Sequence, residues 1–147
     1  MDDKHSNLTE EQISQIKQRL TAASRALSGD GELQVDWGSN THVADPLSTR
    51  ETVHLPPLPA KLDDNAINAQ RGEADLAAFA AKLHNARAHR QGRPLSDKAA
   101  AVFDALELVR IEQAGVNHKT GAAHNICLLY TSPSPRDLST SRMPSSA

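Results

Sequence analysis

The chain has 147 residues, a formal net charge of −2, 38% hydrophobic and 3% aromatic residues, and one cysteine. A single cysteine excludes an intrachain disulfide and a cysteine-based zinc site, and a near-neutral charge argues against a dedicated nucleic-acid binder. No apolar run reaches the roughly 20 residues that span a bilayer, and the N-terminus lacks the pattern of a secretory signal. We therefore expect one soluble, cytoplasmic domain.

The first predicted element is a helix that begins near Thr9. Thr9 and Gln12 have the spacing of a capping box, and apolar residues recur every three or four positions up to about Ser28. A glycine at position 29 is typical of a helix end. Residues 1–7 are polar, and we expect this N-terminus to be disordered.

Two short alternating segments follow the first helix. Leu33, Val35 and Trp37 alternate with polar residues, and residues 52–55 form a second run of the same kind. Such alternation is typical of half-buried strands. We predict that the two segments pair as a β-hairpin with a long connection, and that the prolines of the LPPLP stretch stop the second strand and stiffen the exit.

The rest of the chain is predicted to be helical. A long helix runs from Asp63 or Asp64 to about Gln91, where Gly92 and Pro94 stop it. Its core stripe is predicted to contain Leu76, Phe79, Ala80 and Leu83.

A third helix is predicted from the cap residue Ser96 to Gly115, and a further segment begins before Ile126. The predicted buried face of the third helix is Val102, Phe103, Leu106 and Val109. The predicted fold class is therefore mainly α: a small helical domain with a short β-hairpin near the N-terminus and a disordered C-terminal tail.

Two histidines of the predicted long helix, His84 and His89, are the residues most able to bind a metal. A separation of five places them about 140° apart around the helix axis, whereas helical metal ligands lie three or four residues apart. We therefore predict no metal site and keep His84 and His89 as weak metal-ligand candidates. The alternative is a pair of ordinary histidines in the core or on the surface.

The charged residues of the same helix favour a partner surface over an active site. The basic stretch 82–98 indicates either a solvated helix end or a site for an acidic partner or phosphate. Gly72 indicates a close helix crossing or a kink. Glu73 and Asp75 do not face each other on a helix, so they do not predict an acid/base pair.

Motifs for catalysis and cofactor binding are missing from the sequence. It contains no P-loop, no dinucleotide-binding glycine pattern and no nucleophile elbow. We predict no catalytic and no cofactor-binding residue. The partner-binding candidates are Arg71, Asp75, Arg87 and Arg90.

The segment 127–147 differs in character from the rest of the chain. It is rich in serine and proline without any helical or strand period, and it resembles a translated sequencing-library adapter, in which the codons TGT CTC TTA TAC ACA TCT encode residues 127–132. We interpret the segment as an artefact tail, the alternative being a naturally disordered end. Its D-x-S-x-S pattern at 137–141 follows prolines instead of a buried strand, so we do not predict a cation site there.

Two long blocks carry a family resemblance: RGEADLAAFAAKLHNARAH, and AAVFDALELVRIEQAG followed by HNI. They resemble the N-terminal region of the CobT-type subunit of aerobic, ATP-dependent cobaltochelatase. The resemblance is strong over about 71–126, and the preceding order of helix, hairpin and Pro-rich link also fits. We therefore interpret 8–126 as a truncated region of this kind. The positions that fall at the family's spacing are Arg71, Gly72, Ala74, Asp75, Leu83, His84, His89, Val102, Phe103, Ala105, Arg110, Glu112, Ala114 and Gly115.

The resemblance implies a role in cobalamin biosynthesis, in the insertion of cobalt(II) into hydrogenobyrinic acid a,c-diamide. The implied partners are a CobN-type subunit, which binds the corrin and the metal, and a CobS-type AAA+ ATPase, in an oligomeric complex without nucleic acid or membrane. ATP, magnesium and cobalt are implied for the whole complex, a ligase that forms nitrogen–metal bonds. Family members continue into an acidic linker and a von Willebrand A domain, so we expect this fragment to be inactive by itself.

Two alternatives to a non-catalytic docking role stay open. Cobalt delivery would use imidazole ligands, which suit late first-row divalent metals, with His84, His89, His118 or His124 as the ligands. The other alternative is a stand-alone helical adaptor unrelated to cobalt.

Overall fold

The computed structural model describes residues 8–38, 47, 52–59 and 63–131. The described elements, in chain order, are α1 (Glu10–Ser28), β1 (Gln34–Trp37), β2 (Thr52–Leu55), α2 (Asp64–Leu83), α3 (Ala86–Gly92), α4 (Asp97–His118) and α5 (Thr120–Thr131). The prediction of a mainly helical domain is confirmed. The predicted disorder of residues 1–7 and of the tail beyond 131 lies outside the described residues.

Helix α1 begins and ends where the sequence predicts. The Gln12 amide donates to the Thr9 hydroxyl at 3.2 Å, and the Thr9 amide donates to Gln12 Oε1 at 2.9 Å. This reciprocal capping box satisfies two backbone donors that the helix leaves unpaired. At the other end Gly29 adopts φ 75°, the left-handed conformation that glycine accepts without a steric penalty.

The two strands pair, but the predicted hairpin geometry is wrong. β1 and β2 run parallel, with Gln34 opposite Thr52 and Trp37 opposite Leu55. Parallel strands need a connection of about a dozen residues or more, because the chain must return to the same end of the sheet. The segment between Trp37 and Thr52 is long enough to do so.

The strands, α1 and the first half of α2 enclose one apolar cluster. Leu33 is 1% exposed and Val53 is 1% exposed. Half-buried residues, among them Ile16, Trp37 and Leu58, cover the edges of this cluster. Its buried members are Leu20, Leu33, Val53, Leu55 and Ala74.

A second apolar cluster joins α2 to α4 and α5. It is built around Phe79 on α2, Ile111 on α4 and Ile126 on α5, each no more than 2% exposed. Gly115 also faces Phe79, whose ring occupies the space that a Cβ at position 115 would need. This contact explains a wrong prediction: Gly115 lies inside α4, where its small size admits Phe79, and it does not end the helix.

The predicted long helix is interrupted, which corrects its expected extent to Gln91. α2 ends at Leu83, and a new helix, α3, begins at Ala86. The start of α2 is as predicted, since Asp63 Oδ1 accepts from the Ala66 amide at 2.7 Å. Its glycine, Gly72, is buried where α2 crosses α5, so a close crossing is confirmed and the helix continues through it.

Helix α4 buries a different face from the one predicted. Val102, Leu106 and Val109 are 61%, 63% and 54% exposed, so three of the four residues expected inside lie outside. The buried side chains are Ala100 and Ile111, on the opposite side of the helix. Packing against α2 decides the choice, since both faces of α4 carry apolar residues.

Helix α5 extends beyond the predicted boundary at Ile126, through Thr131. A Cβ atom on Gly72 would lie only 2.8 Å from Leu129 Cγ, so α5 packs closely on α2 at this point.

Among the described residues, none of the helices combines the length and the apolar character that a membrane crossing requires.

Candidate functional site

The break between α2 and α3 positions both histidines. His84 caps α2 in an extended conformation, with φ −80° and ψ 128°, and its amide donates to the Ala80 carbonyl at 3.0 Å. Asn85 then caps α3, because its Oδ1 accepts from the Ala88 amide at 3.1 Å. Asparagine is a favoured N-cap residue, and two non-helical residues are enough to change the rotational phase between His84 and His89.

His84 belongs to a hydrogen-bonded chain that ends on α4. Its Nδ1 lies 2.9 Å from Glu107 Oε1, and the same carboxylate accepts two hydrogen bonds from Arg110, at 2.7 and 2.8 Å. Arg110 Nη2 also donates to the Leu83 carbonyl at 2.9 Å. Arg110 therefore connects the C-terminal end of α2 to Glu107.

His89 has the same arrangement one helical turn away. Its Nε2 lies 2.8 Å from Asp104 Oδ1, and Arg93 donates from Nε and Nη2 to the two oxygens of Asp104, at 3.0 and 2.9 Å. The ring of His89 also lies against Phe103, with ring centroids 4.8 Å apart. We call His84, His89, Asp104 and Glu107 the histidine cluster.

The two carboxylates of the histidine cluster hold their negative charge strongly. Hydrogen bonds from Arg93, and then from His89, lower the pKa of Asp104 to about 2. Arg110, and then His84, lower the pKa of Glu107 to about 2. Both carboxylates are therefore ionised and act as acceptors throughout the physiological pH range.

The ligand-type atoms of the cluster converge. One nitrogen each from His84 and His89 and one oxygen from Glu107 lie within 4.8 Å of one another, and the two imidazole rings meet edge to face with centroids 5.0 Å apart. The side chains are well shielded, since His84 is 3% exposed, His89 9% and Glu107 15%. Within the described part of the chain this is the grouping that could hold a metal ion.

The geometry corrects the argument made from helical spacing. The prediction that His84 and His89 lie too far apart around one helix to share an ion is wrong, because they do not lie on one helix. Asp104 and Glu107 were not predicted as site residues. Their separation of three on α4 puts them on one helix face, and this was the signal in the sequence that pointed to them.

The partner-binding candidates divide into exposed and buried residues. Arg71, Arg87 and Arg90 are exposed, on α2 and α3. Asp75 is 8% exposed and accepts a hydrogen bond from Asn125 Nδ2 at 2.9 Å, so it joins α2 to α5. Burial raises the pKa of its carboxyl, while that hydrogen bond and the charge of Arg71 act against the rise.

Apolar side chains form a stripe on the exposed side of α4. Val102, Leu106 and Val109 follow one another at separations of four and three, which places them on one face, and each is more than half exposed. Leu95, just before the helix, is fully exposed. We call Leu95, Val102, Leu106 and Val109 the α4 stripe. A run of exposed apolar residues on a helix is typical of an interaction surface.

Comparison with known proteins gives one clear result. A family model described as "Cobalamin biosynthesis protein CobT" matches residues 10–137. The matched region includes both the histidine cluster and the α4 stripe, and it continues into residues 127–137 of the segment interpreted as adapter-derived. No solved structure matches the chain at a significant level.

Proposed function

Since the chain belongs to the CobT family of cobalamin biosynthesis proteins, we propose that it is a non-catalytic docking part of a cobaltochelatase subunit. In this role it supports the ATP-driven insertion of cobalt(II) into hydrogenobyrinic acid a,c-diamide in the cytoplasm. Its partners are a CobS-type AAA+ ATPase and a CobN-type subunit. ATP, magnesium and cobalt are used by the whole complex, and no residue of this chain is assigned to them by this proposal.

The observation that carries the proposal is the two-sided character of α4. One side is buried at Ala100 and Ile111, and Ile111 shares an apolar cluster with Phe79 of α2. The α4 stripe on the other side leaves large apolar side chains in water. Exposing apolar area costs about 25 cal/mol per Å² relative to burial. A helix that is apolar on both sides is typically covered on both, so we assign the stripe to a partner subunit.

Basic residues near the start of α4 give the partner surface its charge preference. Arg87 and Arg90 on α3 and Lys98 on α4 are exposed. Charges around an apolar contact mainly affect the rate and specificity of association. We therefore expect the surface of the ATPase that covers the α4 stripe to be apolar with an acidic rim.

The test measures binding of the full chain to the CobS-type ATPase by biolayer interferometry. Leu106→Asp places a charge in the centre of the α4 stripe, and we expect the affinity to fall at least tenfold, about 1.4 kcal/mol or more. Ala23→Asp on the exposed side of α1 is the matched control, and it should leave the affinity unchanged. Circular dichroism confirms that both variants remain folded.

Charge reversal tests the acidic rim separately. The double variant Arg87→Glu and Arg90→Glu should slow association and remove most of its dependence on salt. Reversal of Arg19 on α1 serves as the control. Unchanged ATPase binding by Leu106→Asp would contradict the proposal, and sedimentation would then show whether the stripe instead joins two copies of this chain. Absence of any ATPase binding would favour a stand-alone adaptor.

A further inference from the structure

We propose that the histidine cluster is a binding site for a divalent first-row transition metal, in which His84, His89 and Glu107 are the ligands. The inference stands on the geometry of α2, α3 and α4 and does not depend on the proposed docking function. It also assigns a task to residues that the docking surface does not use, because the side chains of His84 and His89 are almost completely buried.

The donor atoms of the three proposed ligands converge. With metal–ligand bonds of about 2.0–2.2 Å, two ligands of one ion lie no more than about 4.4 Å apart. The three donor atoms lie within 4.8 Å of one another, slightly farther apart than this limit. Small rotations of Glu107 and His89 about their side-chain bonds would bring the donors closer together, with Arg110 releasing Glu107.

The chemistry of the three donors favours a transition metal. Two imidazole nitrogens and one carboxylate oxygen suit Co²⁺, Ni²⁺ and Zn²⁺, whereas Mg²⁺ and Ca²⁺ prefer oxygen ligands throughout. Three protein ligands also leave at least one coordination position for water, unlike closed structural sites with four protein ligands.

A carboxylate supports His89 from behind. Asp104 holds His89 from Nε2 at 2.8 Å and is itself fixed by Arg93. Histidines that bind metals usually have one ring nitrogen fixed by a carboxylate, which orients the other towards the ion. Asp104 is in the position to orient His89, and we regard it as a positioning residue.

Arg110 is the competitor for the metal. Its guanidinium neutralises Glu107 through two hydrogen bonds, and a metal ion that takes a Glu107 oxygen has to replace it. Arg110 is able to leave, because its side chain is 52% exposed whereas that of Glu107 is 15% exposed. Its departure would also release the Leu83 carbonyl at the end of α2, so metal binding is coupled to the break between α2 and α3.

The experiment titrates the full chain with Co²⁺ alone, followed by calorimetry and by the visible ligand-field absorption of the bound ion. We expect one ion per chain with a dissociation constant below about 100 µM, and no heat of binding with Mg²⁺. His84→Ala and His89→Gln should each weaken Co²⁺ binding at least tenfold. The double variant His118→Ala and His124→Ala is the matched control, since these exposed histidines lie outside the cluster.

Arg110→Gln distinguishes a metal site from a purely structural cluster. If Arg110 competes with the ion, this variant should bind Co²⁺ several-fold more tightly even though it loses the contact with Leu83. Arg19→Gln, at an exposed arginine of α1, should not change the affinity. This pair keeps the inference testable even if His84→Ala fails to fold, which circular dichroism would show.

Three results would overturn the inference. The first is no Co²⁺ binding below about 100 µM, and the second is binding that His89→Gln leaves unchanged while the control variant loses it. The third is weaker binding in Arg110→Gln than in the unaltered chain. Each leaves the ATPase docking measurement unaffected, so failure of this inference is distinguishable from failure of the proposed function.

Discussion

Single residues decide how closely the helices approach one another. At Gly72 an added Cβ would lie 2.5 Å from the Asn125 carbonyl oxygen on α5, closer than real Cβ contacts. Backbone atoms cannot turn away as a flexible side chain can, so the two helices would have to separate. At Gly121, in the first turn of α5, no neighbouring atom lies within 4 Å of the position that a Cβ would take.

Gly72→Ala is therefore expected to destabilise the protein, because a steric cost of about 1–3 kcal/mol exceeds the gain of up to about 1 kcal/mol in helix propensity. The identical substitution Gly121→Ala meets no neighbour and should be neutral or slightly stabilising. Urea unfolding of both variants measures the difference in free energy. Equal effects at the two sites would show that α2 and α5 do not approach closely at Gly72.

Glu107 is a residue whose protonation is expected to lower stability in acid. Its pKa in the folded chain is about 2, against the ordinary value of 4.5, mainly because Arg110 and then His84 hydrogen-bond its charged form. Between those two values the unfolded chain binds the proton more readily than the folded one. The stabilisation is therefore complete above about pH 4.5 and is lost as the pH falls towards 2.

Glu107→Gln removes this titration. At pH 7 we expect the variant to be less stable by about 1–3 kcal/mol, the usual size for hydrogen bonds to charged groups, and the difference from the unaltered chain should shrink between pH 4.5 and pH 2. Urea unfolding at a series of pH values measures it. Glu11→Gln, an exposed position in the first turn of α1, is a control without such a partner. A difference that stays constant across this range would contradict the assignment.

At the scale of elements, the break between α2 and α3 has the greatest consequence. It depends on Asn85, whose side chain caps α3, and it turns a pair of histidines that are out of phase on one helix into neighbours. Ser96 at the start of α4 is also an N-cap residue by position, but its side chain makes no capping hydrogen bond. The two caps therefore make a matched comparison.

Asn85→Ala is expected to cost about 0.5–2 kcal/mol of stability, the usual loss for an N-cap side chain. Ser96→Ala removes no capping bond, and thermal unfolding should detect little change. We also expect Asn85→Ala to increase hydrogen exchange in α3, since that helix is short and depends on its cap and on the Arg93 contact with Asp104. Equal losses in the two variants would show that the Asn85 cap does not stabilise α3.

The two strands lie where the alternating pattern predicts them, but their relative direction differs from the predicted hairpin. Alternation correctly located residues 52–55 and most of β1, because alternation reports which face is buried. It carries no information on strand direction. The long connection permits either direction. In the folded chain the strands are parallel, β2 packs on α2, and α1 covers the same apolar cluster.

At the scale of the whole molecule, α2 is the central element. It contacts α1, β2, α4 and α5, with its first half in one apolar cluster and Phe79 in the other. The predicted core stripe of this helix was therefore correct at Phe79 and Ala80, both nearly fully buried. α4 contacts α2 through one side only, so the apolar stripe on its other side stays in solvent.

The family, the helical class, the capping box of α1 and the position of β2 can all be predicted from the sequence, because they depend on local spacing and on long matched blocks. The remaining features depend on contacts between elements. Which side of α4 is buried follows from Phe79 packing against Gly115. His84 and His89 meet because the break between α2 and α3 lets His84 reach Glu107 and His89 reach Asp104 on the same helix, α4. Local periodicity describes one element at a time, whereas these contacts join residues from separate helices whose relative placement no local pattern specifies.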